Sequence, residues 1–204
     1  FSVVALFVLS FSIREEQRMA FRPIETERLV IRKFRPNDYK ALYEYLSDEM
    51  VVRFEPYDPY TLEQAKREAE YRSHSDEYFA VTRKEDDVLI GNLYLGKRQF
   101  NCYELGYIFN RNWQMSGFAT ESAAALLEYA FGSLHAHRVV AECNPLNYRS
   151  RKLMERLGMR REAELKKNVF FRKDSSGQPV WQDTLQYAML SEEWKERHES
   201  EKQE

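Results

Sequence analysis

A stretch of small and polar residues, 114–120, leads directly into a segment whose apolar side chains recur at helical spacing. The first N–H groups of a helix lack partners within the helix, and the helix dipole makes that end positive. Gly117 allows a ligand to approach the backbone, and the small Ala119 keeps the approach open. The stretch therefore predicts a phosphate or pyrophosphate site made of backbone donors. A helix cap of small residues without a ligand is the alternative.

The surrounding elements place this stretch inside an alternating α/β unit. A strand pattern covers residues 103–109 just before it, and another covers residues 139–143 after the helix. A further helix is predicted to begin at Asn147 and to end near Leu157. The predicted phosphate site therefore lies in a strand–helix–strand–helix unit, and this context narrows the kinds of phosphate-bearing ligand that it could bind.

The remaining pattern completes the sheet. Residues 28–35 favour a first strand, and Pro36 begins a helix after it. Thr61 and Gln64 form a capping-box pair that starts a second, highly charged helix, whose apolar positions we assign to Ala65, Ala69 and Tyr71. Further strands are predicted at 78–82 and 88–95 with a turn at 85–87, and two last strands flank a turn at 174–179.

Five segments in this order resemble the GNAT superfamily of acyl-CoA-dependent N-acyltransferases. Gln114, Gly117 and Ala119 match its pyrophosphate motif, Gln/Arg-x-x-Gly-x-Gly/Ala. Residues 25–32, 104–107 and 157–159 look like other family segments, and residues 181–187 are similar to the closing strand of the subfamily of ribosomal-protein N-terminal acetyltransferases. The resemblance implies an α/β (α+β) fold. Its mixed, mostly antiparallel sheet would have six to seven strands and about four flanking helices.

The resemblance also implies acetyl-CoA as co-substrate and backbone contacts along the loop. The expected cofactor-binding residues there are Gln114, Met115, Ser116, Gly117, Phe118, Ala119 and Thr120. Met115 stands where many relatives have glycine. The strand from Glu104 is expected to splay from its neighbour at a bulge and to offer the N–H groups of Ile108 and Phe109 to the thioester oxygen. An ordinary central strand is the alternative.

An amine acceptor must lose a proton before it attacks a thioester, because its ammonium form titrates near ~10.4. Glu104 is the first candidate for the base, since it matches a position where several GNAT enzymes carry one and an apolar strand would raise its pKa. An exposed carboxylate at a strand end is the alternative. Glu142, Asp183 and Tyr187 are reserves, and Asp183 is better explained as a hydrogen-bonding group that holds the final strand.

Many GNAT enzymes protonate the departing thiolate with a tyrosine seven residues after the asparagine that starts the last long helix. That position is Met154 here. Ser150, one helical turn after Asn147, is therefore predicted as the acid, and Asn147 as a ligand of the pantetheine amides. Helix capping alone would also explain both residues. Arg151, with Arg149 and Lys152, is predicted near the 3′-phosphate, although a solvated basic surface is the commoner meaning of such a run.

Four aromatic residues, Phe54, Tyr57, Tyr60 and Tyr94, are candidates for an acceptor groove or for ordinary packing. The reaction predicted is direct acetyl transfer to a primary amine without a covalent enzyme intermediate. The acceptor stays open between a protein N-terminus, an amino acid, a polyamine and a drug amine. A non-catalytic CoA-binding module is the competing class. An oxidoreductase is disfavoured because Gly-x-Gly-x-x-Gly is missing.

The 204 residues are enough for one domain, which we expect at 19–194, with a charged tail at 195–204. Residues 1–18, of which 1–13 form an apolar run, are predicted to be a translated upstream or non-native extension ahead of a start at Met19, with a membrane or partner anchor as the alternative. A formal charge of −2 gives no general attraction to nucleic acid or to a membrane surface, and a homodimer stays open. Cys102 and Cys143 lack metal spacing, so we expect no metal and a reduced, cytoplasmic setting.

Overall fold

The computed structural model describes residues 21–201. These residues form eight strands and six α-helices, in this order: β1 (Ile24–Glu25), β2 (Leu29–Lys33), α1 (Tyr39–Leu46), α2 (Glu49–Val52), α3 (Leu62–His74), β3 (Tyr78–Arg83), β4 (Leu89–Lys97), β5 (Cys102–Phe109), α4 (Phe118–Glu128), β6 (Arg138–Cys143), α5 (Tyr148–Arg156), β7 (Arg160–Lys173), β8 (Pro179–Leu190) and α6 (Ser191–Glu201). All strands belong to one sheet in the order β1-β2-β3-β4-β5-β6-β8-β7. Neighbouring strands are antiparallel except β5 and β6, which run parallel.

The predicted fold class is confirmed, while the expected counts of six to seven strands and about four helices are too low for the described residues. The strand β1 has two residues and the helix α2 has four, so neither is long enough to give a periodic pattern. The predicted turn between β3 and β4 and the pairing of β7 with β8 are confirmed. The helix predicted after the phosphate loop ends at Glu128 and continues as a π-helical turn, Tyr129–Ser133.

Local chemistry explains where the helices begin. At the start of α3, Thr61 accepts a hydrogen bond from the Gln64 N–H, and the Gln64 side chain accepts one from the Thr61 N–H. This reciprocal pair satisfies two donors that the helix itself leaves open. At the start of α5, the Asn147 side chain accepts from the Ser150 N–H at 3.1 Å. Both caps are visible in the sequence because they need only residues three apart.

Helices cover both faces of the sheet. Successive strand residues point to opposite faces, and in β3 the side chains of Phe79 and Val81 belong to one buried cluster while Ala80 belongs to the other. The helices α4 and α5 pack on the first face, with Leu126 and Met154 fully buried. The helices α1 and α3 pack on the second face. The sheet is therefore a rigid layer between two helical layers, and it fixes the strand ends that carry the site.

The parallel strands β5 and β6 pair over only three residues. Their register runs from Cys102 opposite Arg138 to Glu104 opposite Val140, and each strand then continues without pairing to the other. The predicted splay of this strand is confirmed. The predicted bulge is wrong, because the register between β5 and β4 is uninterrupted from Tyr103 to Phe109. The two strands diverge after Glu104 and Val140, which leaves a gap between them in the sheet.

The proposed extension at residues 1–18 lies outside the described residues, as do the last three residues of the proposed charged tail. The tail residues that are described belong to α6. Within residues 21–201, every helix is too short or too polar to span a bilayer.

Candidate active site

The predicted phosphate loop, residues 114–120, lies at the end of the sheet toward which β5 runs. Gly117 is the N-cap of α4 with φ +82°, a left-handed conformation that glycine adopts without strain. The first helical bond runs from the Glu121 N–H to the Gly117 carbonyl, so the N–H groups of Phe118, Ala119 and Thr120 precede it and lack helical partners. This is the geometry of an anion site at a helix start.

The loop is anchored to the turn between β1 and β2 by a network that the sequence did not reveal. The Glu121 carboxylate accepts from the Thr26 hydroxyl at 2.5 Å and from the Arg28 N–H at 2.9 Å, and it pairs with the Arg28 guanidinium at 2.6 Å. Arg28 also donates to the Ser116 carbonyl at 3.0 Å and stacks over Phe118. Burial alone would raise the pKa of Glu121, but the hydrogen bonds outweigh it and lower that pKa. The carboxylate therefore stays ionised and holds the loop in place.

Two other loop residues carry local information. Met115 has φ +66°, and its side chain is 84% exposed. A left-handed backbone explains why a glycine would suit this position. Gln114 donates to the Phe109 carbonyl at 2.9 Å and accepts from Arg149 on α5. Gln114 thus ties the end of β5 to α5.

The direction of the β5 N–H groups follows from two backbone hydrogen bonds. The Asn110 N–H donates to the Ile90 carbonyl next to β4, while the Asn101 carbonyl accepts from His137 on the β6 side. Because strand groups alternate, even-numbered residues of β5 face β4 and odd-numbered residues face β6. The Phe109 N–H therefore points to the open gap as expected. The expectation for Ile108 is wrong, and Tyr107 supplies the second donor on the open side.

A cleft of about 540 Å³ begins at this gap and extends over β4 and β5. Its walls come from the loop between α2 and α3, from the strands β3 to β8, and from the helices α3 and α5. Six of the candidate residues line it, namely Glu104, Ile108, Glu142, Asn147, Ser150 and Asp183. The four aromatic candidates, Phe54, Tyr57, Tyr60 and Tyr94, line it as well. The groove interpretation of these aromatic side chains is therefore favoured over packing alone.

Ser150 forms a hydroxyl pair with a residue that the sequence analysis missed. Its Oγ lies 2.8 Å from the Tyr107 hydroxyl oxygen, and Ser150 is 9% exposed. Burial raises the pKa of Tyr107, so this phenol keeps its proton at neutral pH even though the bond to Ser150 acts the other way. Asn147 uses its side-chain oxygen to cap α5. Its side-chain NH₂ group is then a hydrogen-bond donor at the cleft wall. Capping and cleft lining therefore coexist.

Met154, which stands at the position of the family tyrosine, is fully buried in the core. Cys143 lies beside Ser150 on the cleft wall. Burial raises the pKa of the Cys143 thiol to about 11, although a hydrogen bond with Ser150 acts in the other direction. At neutral pH this group is a thiol, which is a poor nucleophile compared with a thiolate.

The surroundings of Glu104 differ from the apolar ones expected. Its carboxylate pairs with the Arg98 guanidinium, and its side chain is 24% exposed. Among the reserves, Asp183 accepts from the Lys167 N–H at 2.8 Å and from the Lys166 ammonium at 3.1 Å, so it holds β7 to β8 as expected. Tyr187 is 2% exposed and bonds Glu155 rather than lining the cleft. Glu142 lines the cleft and accepts from Gln186.

Glu55 is a carboxylate in the cleft that the sequence analysis did not single out. It belongs to the Pro- and Tyr-rich loop after α2, and its burial raises the pKa to about 7, with the positive charge of Arg72 acting in the opposite direction. A carboxyl with a pKa near neutrality can accept a proton at physiological pH. Sequence gave no signal for it beyond its place in an aromatic loop.

Arg72 is the third missed residue, and it corrects the assignment of the α3 apolar positions. Tyr71 is 59% exposed, whereas Arg72 is 3% exposed and continues the buried positions Ala65 and Ala69. A charged residue three positions after Ala69 was the available signal. By contrast, Arg151 does not line the cleft, and Arg149 contacts the phosphate loop through Gln114.

An unpaired helix start and a diverging parallel strand pair, next to the cleft of about 540 Å³, define a domain that can hold a phosphate-bearing co-substrate beside an acceptor. Comparison with known proteins identifies the class. Residues 28–160 match the family model described as an acetyltransferase (GNAT) domain. The uncharacterized N-acetyltransferase YnaD of Bacillus subtilis (strain 168) is 39% identical over 176 residues, which are 84% of this chain and 98% of that protein.

Two further similarities agree. The ribosomal protein uS5-alanine N-acetyltransferase of Escherichia coli (strain K12) is 27% identical over 187 residues, which are 84% of this chain and 92% of that protein. The crystal structure of a GNAT-family acetyltransferase from Bacillus anthracis has a TM-score of 0.77 and 34% identity, covering 84% of this chain and 99% of the other. The chain belongs to the GNAT acetyltransferases, whose members use acetyl-CoA as the acetyl donor. The predicted family is confirmed.

Proposed function

We propose that this protein moves an acetyl group from acetyl-CoA directly to a primary amine, and that residues 19–194 form the one domain that does so. The observation that carries the proposal is the continuity of three features: the open N–H groups at the start of α4, the gap between β5 and β6, and the cleft beyond it. A pyrophosphate bound at α4 would direct the rest of the donor into the gap. The acceptor would approach from the cleft side.

The residues in this arrangement have separate roles in the proposed step. The amine nitrogen attacks the thioester carbonyl, the C–N bond forms and the C–S bond breaks. The N–H groups of Tyr107 and Phe109 stabilise the negative charge on the carbonyl oxygen. The paired hydroxyls of Ser150 and Tyr107 donate a proton to the departing thiolate, and Asn147 binds the pantetheine arm. Ser150 keeps the role predicted from the sequence, with Tyr107 added as its partner.

The amine proton has two candidate acceptors on the cleft wall. Glu104 was predicted, but the ion pair with Arg98 occupies its carboxylate. Glu55 has a pKa raised by burial to about 7, close to the value that favours general base catalysis at neutral pH. We infer that Glu55 takes the proton. Direct attack, rather than acetylation of Cys143 first, is supported by the burial that raises the pKa of that thiol to about 11.

The experiment is an acceptor panel with acetyl-CoA, read by release of free thiol. Wild-type protein should acetylate at least one primary amine. Gly117→Val should abolish acetyl-CoA binding in calorimetry, because valine is strained at φ +82° and its Cβ would lie 3.2 Å from the Arg28 guanidinium. Gly177→Val is the matched control, since Gly177 has φ +80° with open space around it in a distant turn. Unchanged affinity in a folded Gly117→Val protein would contradict the proposed donor site.

A non-catalytic CoA-binding module is the competing function. It predicts donor binding without thiol release on any amine in the panel. Bound acetyl-CoA together with an inactive panel would favour that alternative over an enzyme.

A further inference from the structure

Arg72 has an unusual combination of burial and incomplete pairing. Its side chain is 3% exposed and lies between two aromatic rings, with the guanidinium carbon 4.6 Å from the Tyr78 ring centre and 5.5 Å from that of Phe34. Its Nε donates to the Glu68 carboxylate at 2.8 Å. Its Nη1, however, is buried and has no hydrogen-bond partner in the part of the chain that the structure describes. Buried donors of this kind are rare because the unmade bond is costly.

Arg72 belongs to the wall of the cleft. Arg72 lines the cleft together with Glu55, Tyr57 and Tyr78. Arg72 and Glu55 both line this cleft, and the positive charge of Arg72 opposes the rise in the pKa of the Glu55 carboxyl. Of the five acidic residues on the cleft, Glu68, Glu104 and Asp183 are paired with Arg72, Arg98 and Lys166, so a ligand meets one fixed cation together with the carboxyls of Glu55 and Glu142. The stacked rings and the Glu68 pair prevent the guanidinium from turning away.

We propose that the Nη1 group of Arg72 binds a carboxylate of the acceptor, so that the acceptor is a free amino acid and not a polyamine or a simple amine. The inference rests on the proposed acetyl transfer and specifies its acceptor. A guanidinium prefers the planar, charged oxygen pair of a carboxylate. Because Arg72 is buried in the cleft wall, only a terminal group of the acceptor can reach it. The α-amine, two bonds from that carboxylate, then lies beside Glu55.

The aromatic wall indicates the kind of side chain that the amino acid carries. Tyr57 and Tyr60 have ring centres 5.0 Å apart, and Tyr78 and Tyr94 have ring centres 5.1 Å apart. Burial raises the pKa values of these four phenols, so the wall is neutral at physiological pH. An apolar or aromatic amino acid fits this surface, because its side chain replaces water over the rings.

The test uses wild-type protein and acetyl-CoA with three related amines, L-phenylalanine, L-phenylalaninamide and phenethylamine, and with spermidine as a polyamine. The second lacks the carboxylate charge and the third lacks the carboxylate itself. We expect kcat/KM for phenylalanine to exceed that for phenethylamine by roughly a hundredfold or more, since a site with a buried donor rejects an analogue that leaves it unpaired. Equal rates for the three amines, reaction only of spermidine, or no reaction of phenylalanine would overturn the inference.

Variants separate recognition from folding. Arg72→Met should lower kcat/KM for phenylalanine to the level of phenethylamine while acetyl-CoA affinity is unchanged in calorimetry. Arg67→Met, on the exposed side of the same helix, should leave both values alone. If Arg72→Met does not fold, Arg72→Lys is the second variant, because it keeps the positive charge and loses the planar, two-pronged guanidinium. It should reduce the ratio of kcat/KM for phenylalanine to kcat/KM for phenylalaninamide at least tenfold. If the wild-type protein does not bind acetyl-CoA, that result would instead contradict the proposed function itself.

Discussion

The hydroxyl pair of Ser150 and Tyr107 gives the sharpest test of the proposed chemistry. The two oxygens lie 2.8 Å apart on the wall of the cleft, where β5 has separated from β6. Ser150→Ala removes the group next to the departing sulfur, and Tyr107→Phe removes the hydroxyl behind it. If the two hydroxyls act together on the thiolate, each variant should lose most of the same stabilisation.

The size of the effect follows from one hydrogen bond at a buried site. Loss of one donor to a developing negative charge lowers kcat by roughly ten- to a thousandfold, equivalent to about 1.4–4.1 kcal/mol. The folded state loses one neutral hydrogen bond, worth about 1 kcal/mol, so Tm should fall by only ~2–4 °C in a domain of this size. The activity loss is thus much larger than any loss of folded protein can explain.

The assay is thiol release at saturating acceptor, together with calorimetric titration of acetyl-CoA. Both single variants should keep acetyl-CoA affinity, and the double variant should be little slower than either one, because coupled residues are not additive. Tyr148→Phe is the matched control, since Tyr148 is on the same helix and 61% exposed. Wild-type kcat in both single variants would refute the reasoning. Fully additive losses would show that the two hydroxyls act independently.

The other predictions concern the base, the thiol and the loop anchor. The kcat/KM of wild type should rise as the pH rises through about 7, because Glu55 acts as a base only when it is ionised and burial raises its pKa to about 7. In pH–rate profiles, Glu55→Gln should lose that rise and Glu104→Gln should keep it. Cys143→Ala should retain turnover, and its inactivity would indicate a covalent intermediate. Glu121→Gln should weaken acetyl-CoA binding in calorimetry with kcat unchanged, because the carboxylate no longer holds the loop through its ion pair with Arg28. The loss should be only roughly tenfold, since Arg28 is partly exposed and solvent screens the pair. Equal affinity would exclude a role for the anchor.

Much of the donor side was predictable from local sequence. The loop at 114–120, the capping of α5 by Asn147 and the capping box of α3 each depend on residues only a few positions apart. Such features follow from backbone conformation and unpaired helix-end groups, which nearby residues determine. The family resemblance added the order of the strands. Strand β1 was missed because two residues carry no period.

The acceptor side was decided by contacts between distant segments. Tyr107 and Ser150 are 43 positions apart, and Arg72 meets the loop of Glu55 only because α3 packs against the sheet. In the sequence, Arg72 belongs to a run of charged residues that is typical of a solvated helix. Periodicity tells which side of an element is buried, but it does not tell which buried group meets another. Sequence alone therefore determined the family, the helix ends and the phosphate loop, while the tertiary structure decided which side chains share the cleft, because burial and charge pairing arise only when the layers pack.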